Sequence, residues 1–457
     1  MSVPTRYARS ENPYLPAVTV HHGKCLDVLR NMPTNSVHAV VTDPPYGLSD
    51  HTPAEVVQAL TAWASGDRER VPDGRGFMGA DWDRFVPPPA VWDECVRVLR
   101  PGGHLAVFAG SRTVDLMGLS IRLAGFEIRD TITWLYASGF PKGLDISKAI
   151  DKAAGAEREV VGPSRWAGRE SVYDLGVIND DSWSPNGNIR MVTAPATEAA
   201  KQWDGWNVAL KPASEPIIVA RKPFPGTVVA NVQRYGTGGI NINACRVNAG
   251  QDYYTKCASV VGLASNRNGD CYSEWTGARM DSSSPQGRWP ANVILSHAST
   301  PDGEDLCRDR CIDGCPVLEL DRQSGERPTG SVRPYTRSSR DHYSGNFPAV
   351  STYTKAADNG GASRFFNVFR YQAKAPKSER PIVNGKAHPT VKPLALVEHL
   401  VALFTASGGV VLDPFAGTGT LGQAAHRLEF DSILIEENDE WLPHIDLRLT
   451  RYLRGAA

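Results

Sequence analysis

Strand and helix signals are concentrated at the two ends of this 457-residue chain. The first 150 residues alternate apolar strand-like runs with helical spacing, and the alternation resumes at Pro393. Between about 223 and 380, Gly, Ser, Asn, Pro and Arg dominate and no periodic segment is long. Alternating strands and helices are typical of a largely parallel α/β sheet. The sequence therefore predicts one α/β unit built from both ends, with a large loop-rich insertion between them.

The expected elements follow from apolar periodicity and from residues that end helices or form turns. We expect strands at PAVTVHHG, SVHAVVTDPPY, HLAVFAG, FEIRDTITWLYAS, EPIIVARKP, GGVVLDPFAGT and DSILIEE. We expect helices at CLDVLRNMP, PAVWDECVRVLRPGG, 112–124, PLALVEHLVALFTAS, LGQAAHRLE and 439–454. The chain then divides into 1–222, with 150–205 irregular, an insertion at 223–385, and 386–457.

The segment GGVVLDPFAGTGTLGQAA has the strand, glycine turn and helix layout of a nucleotide-binding unit. Gly417 and Gly419 let a ligand approach the backbone, and Glu436, at the end of the next strand, can accept hydrogen bonds from ribose hydroxyls. The segment lacks the Lys-Ser/Thr of a P-loop and does not match GxGxxG. Asp413 favours a positively charged cofactor, so S-adenosylmethionine fits better than NAD or ATP. The alternative is a glycine turn kept for steric reasons alone.

An apolar run near the N-terminus ends in Asp43-Pro44-Pro45-Tyr46. The exocyclic amine of a nucleobase is a poor nucleophile because its lone pair is delocalised into the ring. The Asp43 carboxylate and the Pro44 carbonyl can accept the amine hydrogens and so localise that lone pair. The two prolines stiffen the loop, and Tyr46 can stack on a base that has left its duplex. The alternative is an ordinary turn at a strand end.

Three motifs together resemble the amino-methyltransferases of DNA, which methylate adenine N6 or cytosine N4. They are DPPY at 43–46, HPTVKP at 388–393 and DPFAGTGT at 413–420. The order, with the catalytic loop first, resembles the β class of that family, and patches such as LKPASEPIIVARKP resemble phage-type site-specific methylases. The resemblance implies a Rossmann-like, seven-stranded, S-adenosylmethionine-dependent methyltransferase sheet in circularly permuted order. It also implies a target-recognition region between the motifs.

The resemblance further implies roles for individual residues. Those acting on the base would be Asp43, Pro44, Pro45 and Tyr46. Those holding the cofactor would be Asp413, Pro414, Phe415, Ala416, Gly417, Thr418, Gly419, Thr420 and Glu436, with His388, Thr390 and Lys392 near its methionine end. Family members often carry Gly-Asp after the first strand, whereas this chain has Gly23-Lys24-Cys25. We therefore expect the cofactor pocket to differ at that edge.

The reaction inferred from these motifs is a direct in-line displacement without a covalent enzyme intermediate. Methylation of a cytosine ring carbon would instead require a cysteine nucleophile, which in that family lies in a Pro-Cys dipeptide. This chain has only the reversed order, Cys315-Pro316, inside the insertion. Ring-carbon methylation is therefore disfavoured.

Six of the eight cysteines lie between 245 and 315. Three of them, Cys307, Cys311 and Cys315, follow His297 closely enough to complete a tetrahedral zinc site with it. A structural zinc ion would order a region that lacks a core of its own. Free cysteines are the alternative, and Cys245, Cys257 and Cys271 are competing ligands. A disulfide framework is not expected in a cytosolic chain of this size.

The apolar runs exclude a membrane protein, and the charge of one segment indicates a nucleic-acid partner. Apolar runs stay well below the roughly 18 residues that span a bilayer, and the N-terminus lacks a secretory signal, so we expect a cytoplasmic protein. Net charge is −1, yet residues 321–380 carry 11 Lys and Arg against 5 Asp and Glu, interleaved with eight Tyr and Phe. Such a stretch suits phosphate contacts and base stacking, although a solvated loop surface has the same composition.

We therefore expect a DNA methyltransferase that acts on adenine N6 in double-stranded DNA with a flipped target base. Cytosine N4 is the alternative target, because the local chemistry does not separate two aromatic amines. A catalytically silent DNA-binding or regulatory protein is the alternative from another class. The absence of a nuclease motif favours a stand-alone or phage-type modification enzyme over a restriction-modification pair. The sequence leaves the oligomeric state open between a monomer and a homodimer.

Overall fold

The computed structural model describes residues 4–8, 16–49, 51–74, 76, 81–136, 143–163, 191–248, 287–297, 315–327, 359–369 and 379–454. The strands are β1 Thr5–Ala8, β2 Ala17–His22, β3 Val37–Thr42, β4 Leu99–Phe108, β5 Glu127–Leu135, β6 Val160–Pro163, β7 Met191–Thr193, β8 Ser214–Arg221, β9 Val293–Ser296, β10 Asn367–Phe369, β11 Ile382–Val383, β12 Lys386–Ala387, β13 Val410–Asp413 and β14 Asp431–Glu436. The helices are Cys25–Asn31, Pro53–Ala64, Pro89–Val98, Val114–Leu123, Ile146–Ala153, Glu198–Gln202, Val228–Tyr235, Pro316–Ser324, Leu394–Phe404, Thr420–Arg427 and Leu442–Arg454.

The strands and helices expected from the sequence are confirmed, with small shifts at their ends. The helix expected at PAVWDECVRVLRPGG ends at Val98, because β4 begins at Leu99 and continues through the Pro-Gly-Gly segment. Sequence analysis missed the helix Pro53–Ala64. Its signal is nevertheless present, since Thr52 and Glu55 form a capping box and proline stands at the first helical position.

A sheet with the order β1-β2-β14-β13-β3-β4-β8-β5-β9-β10 organises the described residues. Strands β2, β14, β13, β3 and β4 run parallel to one another, and β8 runs antiparallel to both of its neighbours. The expected mostly parallel α/β sheet is confirmed, but its size differs from the expected seven strands. Strand β1 adds to one edge, while β9 and β10, which lie within the expected insertion at 223–385, add to the other.

Apolar side chains cover both faces of this sheet. Within β3, Val40 and Val41 are buried and belong to cores on opposite faces, as the two-residue period of a strand requires. One core contains Leu400 of the helix Leu394–Phe404, and the other contains Trp92 of the helix Pro89–Val98. Burial of each such side chain contributes about 1.5 to 3 kcal/mol. The sheet is therefore held between two helical layers, which leaves its strand ends to carry function.

The described part of the chain contains no helix that is long and apolar enough to cross a membrane.

The loop that follows β3 packs tightly against the backbone of a second loop. Gly47 has a φ of 65°, in the left-handed region. A Cβ atom added to it would lie 2.7 Å from the Val86 nitrogen and 2.8 Å from the Phe85 carbonyl carbon. Both are backbone atoms that cannot move aside as a side chain can. Glycine is therefore required here by backbone conformation and by space.

We predict that Gly47→Ala lowers the free energy of unfolding by about 3 kcal/mol, because the left-handed backbone costs about 1 kcal/mol and the clash adds the rest. Gly155→Ala is the matched control, since Gly155 has a φ of 62° and no heavy atom within 4 Å of its added Cβ. That variant should lose only the backbone contribution of about 1 kcal/mol. Urea unfolding measures both losses, and equal losses would contradict the close packing of the loop.

Candidate active site

The ends of β3 and β13 are adjacent, although the two strands lie at opposite ends of the sequence. The strands pair in parallel, with Ala39 opposite Val411. Beyond the paired residues, the Thr42 hydroxyl donates to Asp413 Oδ1 at 2.6 Å, and both residues are buried. The DPPY loop and the glycine loop therefore leave the same edge of the sheet at neighbouring positions.

The DPPY loop is fixed by hydrogen bonds from its own backbone. The main-chain nitrogens of Tyr46 and Gly47 donate to Asp83 Oδ1 at 2.7 and 2.9 Å. The Thr113 hydroxyl donates to the Tyr46 carbonyl at 2.6 Å. Burial raises the pKa of Asp83, although the main-chain donors of the loop oppose that rise. Asp83 thus serves as an anchor that holds the loop in one conformation.

A lysine side chain lies against Asp43 of the DPPY loop. Lys392 Nζ lies 2.7 Å from Asp43 Oδ2 and 3.5 Å from Glu215 Oε2. The Tyr46 hydroxyl donates to Glu215 Oε2 at 3.0 Å. The ammonium also lies 5.1 Å from the ring centroids of both Tyr46 and Phe108. One cation is therefore enclosed by two carboxylates and two aromatic rings.

This enclosure shifts two pKa values upward. Burial raises the pKa of the Tyr46 phenol well above its usual value, and the carboxylates of Asp43 and Glu215 raise it further. Burial alone would lower the pKa of Lys392, but the same two carboxylates outweigh it and leave the pKa raised. At neutral pH the phenol is therefore neutral and the lysine is charged.

The glycine loop after β13 is joined to the end of β14. The Gly417 nitrogen donates to Glu436 Oε2 at 2.7 Å, and the Asn438 nitrogen donates to Glu436 Oε1 at 2.9 Å. Gly417 and Gly419 have φ values of 54° and 76°, and the Gly419 nitrogen donates to the Ala416 carbonyl. Left-handed residues in this position allow the sharp turn from strand to helix. The Glu436 carboxylate keeps acceptor capacity for a ligand.

Negative charge accumulates where these loops meet. Burial raises the pKa of Asp413 to about 7, against hydrogen bonds from Thr42 and the Phe415 nitrogen that lower it, and nearby Asp43 and Glu436 raise it further. A cation bound here would relieve this crowding of carboxylates. The crevice is therefore electrostatically suited to a positively charged ligand and unsuited to phosphates.

His388 places the HPTVKP segment against the glycine loop. A Cβ atom added to Gly417 would lie 3.8 Å from His388 Nε2. The His388 ring packs edge-on against Trp441, with 4.4 Å between centroids, and its Nδ1 accepts from the Thr390 nitrogen at 3.2 Å. Burial lowers the pKa of His388 to about 4, so the ring is neutral at pH 7. Because Nδ1 is an acceptor, the ring hydrogen is assigned to Nε2.

Arg448, on the last helix, supports the other side of the glycine loop. Its guanidinium donates to the Thr418 carbonyl at 2.8 Å and to the Thr418 hydroxyl at 3.1 Å. It also donates to Gln423 Oε1 and to the Glu379 carbonyl. Burial lowers the pKa of Arg448 to about 10, so the group stays charged at neutral pH. The C-terminal helix therefore takes part in shaping the loop.

The predicted site residues converge on one edge of the sheet. Asp43 and Tyr46 lie on one side of the crevice, while Gly417 and Glu436 lie on the other. The resemblance implied a place for Lys392 near the methionine end of a cofactor, and its ammonium lies 2.7 Å from Asp43 Oδ2. Phe415 packs on Trp92, 6.5 Å between centroids, and Thr420 begins the helix Thr420–Arg427. The roles of these residues stay predictions.

Four residues of the site were missed by sequence analysis: Asp83, Glu215, Trp441 and Arg448. Asp83, Trp441 and Arg448 lie in no recognisable motif. Glu215 lies in the patch LKPASEPIIVARKP, before the apolar run PIIVAR, but the resemblance assigned it no role. That position becomes informative only when β8 is known to run antiparallel, because its first residues then lie at the edge where β4 ends.

The predicted zinc ligands are described only in part. His297 Nδ1 lies 3.5 Å from the Sγ of Cys315, which is buried at the start of the helix Pro316–Ser324. Cys307 and Cys311 lie outside the described residues. Among the residues that are described, no group of three or more His, Cys, Asp or Glu side chains is arranged to hold a metal ion. The zinc site stays a prediction.

A DNA methylase family model and two type II methyltransferases match this chain. A family model described as DNA methylase, for N6 and N4 methyltransferases, matches residues 37–154 and 264–446. The chain is 39% identical over 72 residues to the type II methyltransferase M.HpaI of Haemophilus parainfluenzae, covering 16% of this chain and 23% of that protein. It is 23% identical over 243 residues to M.HindIII of Haemophilus influenzae, covering 49% and 65%. The aligned parts thus span less than two thirds of each relative.

Solved structures give weaker likenesses. A provisionally named DNA modification methylase of Thermus thermophilus, complexed with S-adenosyl-L-methionine, is 16% identical, with a TM-score of 0.36 and coverage of 95% of this chain and 94% of that one. The cytosine-N4-specific PvuII DNA methyltransferase is 12% identical, with a TM-score of 0.40 and coverage of 96% and 93%. Because both TM-scores are below 0.5, the family assignment does not rest on these structures. Because the family model matches more than half of the sequence and includes both the DPPY loop and the glycine loop, this chain belongs to the DNA methylase family of N6 and N4 methyltransferases.

Proposed function

We propose that this chain transfers a methyl group from S-adenosylmethionine to adenine N6 in double-stranded DNA, with the target base flipped into the crevice, in the cytoplasm. The observation that carries the proposal is the Thr42 to Asp413 hydrogen bond, which joins the two strand ends. It brings an amine-accepting loop and a cofactor-type glycine loop to one place. Cytosine N4 is the alternative target of the same site.

The residues present suit S-adenosylmethionine by their charge and by their acceptors. When bound, this cofactor supplies a methyl group on a positively charged sulfur, which departs as a neutral thioether. Asp413 and Glu436 provide negative charge at the glycine loop, and Glu436 retains acceptor capacity for ribose hydroxyls. His388 offers an Nε2 hydrogen beside the same loop. The same carboxylates would repel a triphosphate.

On the base side, Asp43 and the Pro44 carbonyl would accept the two hydrogens of the target amine. These acceptors would localise the nitrogen lone pair and orient it towards the methyl group that a bound cofactor would supply. The Asp43 carboxylate would accept the proton that the nitrogen releases after transfer. Tyr46 stays a neutral phenol and offers a ring for stacking.

We predict that the protein, incubated with unmodified DNA and labelled S-adenosylmethionine, yields N6-methyldeoxyadenosine on nucleoside analysis. Asp43→Ala should lower the transfer rate by about a hundredfold or more, because the amine loses its main acceptor, while cofactor affinity is retained. Asp204→Ala, at an exposed turn, is the control and should keep full activity. N4-methyldeoxycytidine would identify the alternative target, and absence of any product would favour a silent DNA-binding protein.

We predict that the preference for S-adenosylmethionine over S-adenosylhomocysteine rises with pH through neutrality. Asp413 has a raised pKa of about 7, so it gains negative charge as pH rises, and only the sulfonium of S-adenosylmethionine responds to that charge. Between pH 6 and 7.5 the affinity ratio should rise about eightfold, as the ionised fraction does. Calorimetric titration measures both ligands. A ratio that stays constant in the wild type, or rises equally in Asp413→Asn, would contradict this assignment.

We propose that His297, Cys307, Cys311 and Cys315 hold a structural zinc ion, supported by the contact between His297 and Cys315. Purified protein should then contain about one zinc per chain by elemental mass spectrometry, as expected for a closed four-ligand site. Cys315→Ser should remove it and Cys25→Ser should not. Zinc-free wild-type protein with unchanged folding would refute the site.

A further inference from the structure

Glu215 is an acidic residue beside Lys392 and Tyr46 that lies outside the DPPY, HPTVKP and DPFAGTGT motifs. It lies at the start of β8, opposite Trp134 of β5. Because β8 runs antiparallel to β4, its first residues reach the edge at which β4 ends, and the Ala109 nitrogen donates to the Pro216 carbonyl there. The fold therefore places a second carboxylate beside the DPPY loop.

Glu215 contacts both groups that adjoin Asp43. Its Oε2 accepts from the Tyr46 hydroxyl at 3.0 Å and lies 3.5 Å from Lys392 Nζ. Lys392 Nζ itself lies 2.7 Å from Asp43 Oδ2. The three charged side chains are shielded from solvent, with exposed fractions of 11% for Lys392, 24% for Asp43 and 22% for Glu215. The charge of one side chain therefore acts strongly on the others.

This arrangement creates a conflict for the reaction. The Asp43 carboxylate would accept a hydrogen of a target amine, and its Oδ2 already accepts from Lys392. An amine that binds at Oδ2 would therefore compete with the lysine ammonium. A shielded ammonium left without a partner would be strongly destabilising. The lysine needs a second carboxylate close by.

We propose that Glu215 is a positioning residue for methyl transfer, which holds the Tyr46 ring and receives the Lys392 ammonium when a base amine takes its place at Asp43. This inference rests on the proposed function. The distances of 2.7 and 3.5 Å to the two carboxylates show that Lys392 needs only a small movement to change partners. Glu215 thus frees the acceptor without leaving a buried charge unpaired.

The charges around Lys392 make this role measurable. The titratable groups facing it are Asp43 at the end of β3, Glu215 on β8, Tyr46 in the DPPY loop and His388 on its own segment. Burial lowers the pKa of Lys392, and only the two carboxylates raise it. Removing one of them should therefore lower that pKa, and a neutral lysine would form at lower pH.

The test compares Glu215→Gln with Glu127→Gln. Glu127 lies at the opposite end of the same strand pair, where it forms a partly exposed ion pair with Arg221, so it is a matched control. Glu215→Gln should lower kcat by about tenfold or more with KM for S-adenosylmethionine within about twofold of wild type. Glu215→Asp should recover part of the rate. The control variant should match the wild type in both constants.

A second readout does not depend on activity. Trace acetylation of lysines across the alkaline range, quantified by peptide mass spectrometry, follows the charge of Lys392. The labelling midpoint of Lys392 should fall by about one pH unit in Glu215→Gln, because one compensating carboxylate is lost. It should not move in Glu127→Gln. Thermal unfolding of each variant controls for loss of structure.

The outcomes separate the two proposals. An unchanged labelling midpoint, or an unchanged kcat in folded Glu215→Gln, would overturn the role of Glu215 while an active wild type would still support the proposed function. Loss of folding in Glu215→Gln leaves Glu215→Asp to decide, since it should fold and should show a partial loss of kcat. A wild-type protein that methylates no DNA would refute the proposed function and this role with it.

Discussion

The hydrogen bond from Thr42 to Asp413 joins residues 371 positions apart, and the arrangement of the site depends on it. It is short, buried and made to a carboxyl group whose pKa is raised by burial, so it holds two strand ends in fixed register. Burial of apolar side chains on both faces of the sheet stabilises the packing of these strands. Packing energy therefore stabilises the juxtaposition, and a single polar contact aligns it.

Electrostatics divides the crevice into two parts. On the glycine-loop side, Asp413 is buried and Glu436 is half-buried, and burial raises the pKa values of both carboxyl groups. On the base side, Asp43 and Glu215 share Lys392. A positively charged ligand is thus favoured on the first side, whereas the second side already contains its own cation. Under the proposed function the target base would compete with that cation, which gives Glu215 its proposed role.

Sequence patterns predicted the parts of this architecture that depend on local chemistry. Asp43 and Gly417 were identified because prolines, glycines and apolar runs around them have direct conformational meaning. The resemblance to a known family supplied the strand order. Asp83 and Arg448 were not predicted, because each acts on a loop that is distant in sequence: Asp83 through the main chain of Tyr46, and Arg448 through Thr418. The extra strands β9 and β10 were not predicted either, since they are only four and three residues long.

The central claim is that both ends of the chain form one crevice that binds the methyl donor and the base together. A crystal structure of the protein with S-adenosylhomocysteine and a DNA duplex containing its target measures this most directly. The claim predicts the cofactor sulfur and the flipped base between the DPPY loop and the glycine loop, with Lys392 moved from Asp43 towards Glu215. A cofactor bound away from Asp43, or a base that remains stacked in the duplex while methyl transfer occurs, would contradict it.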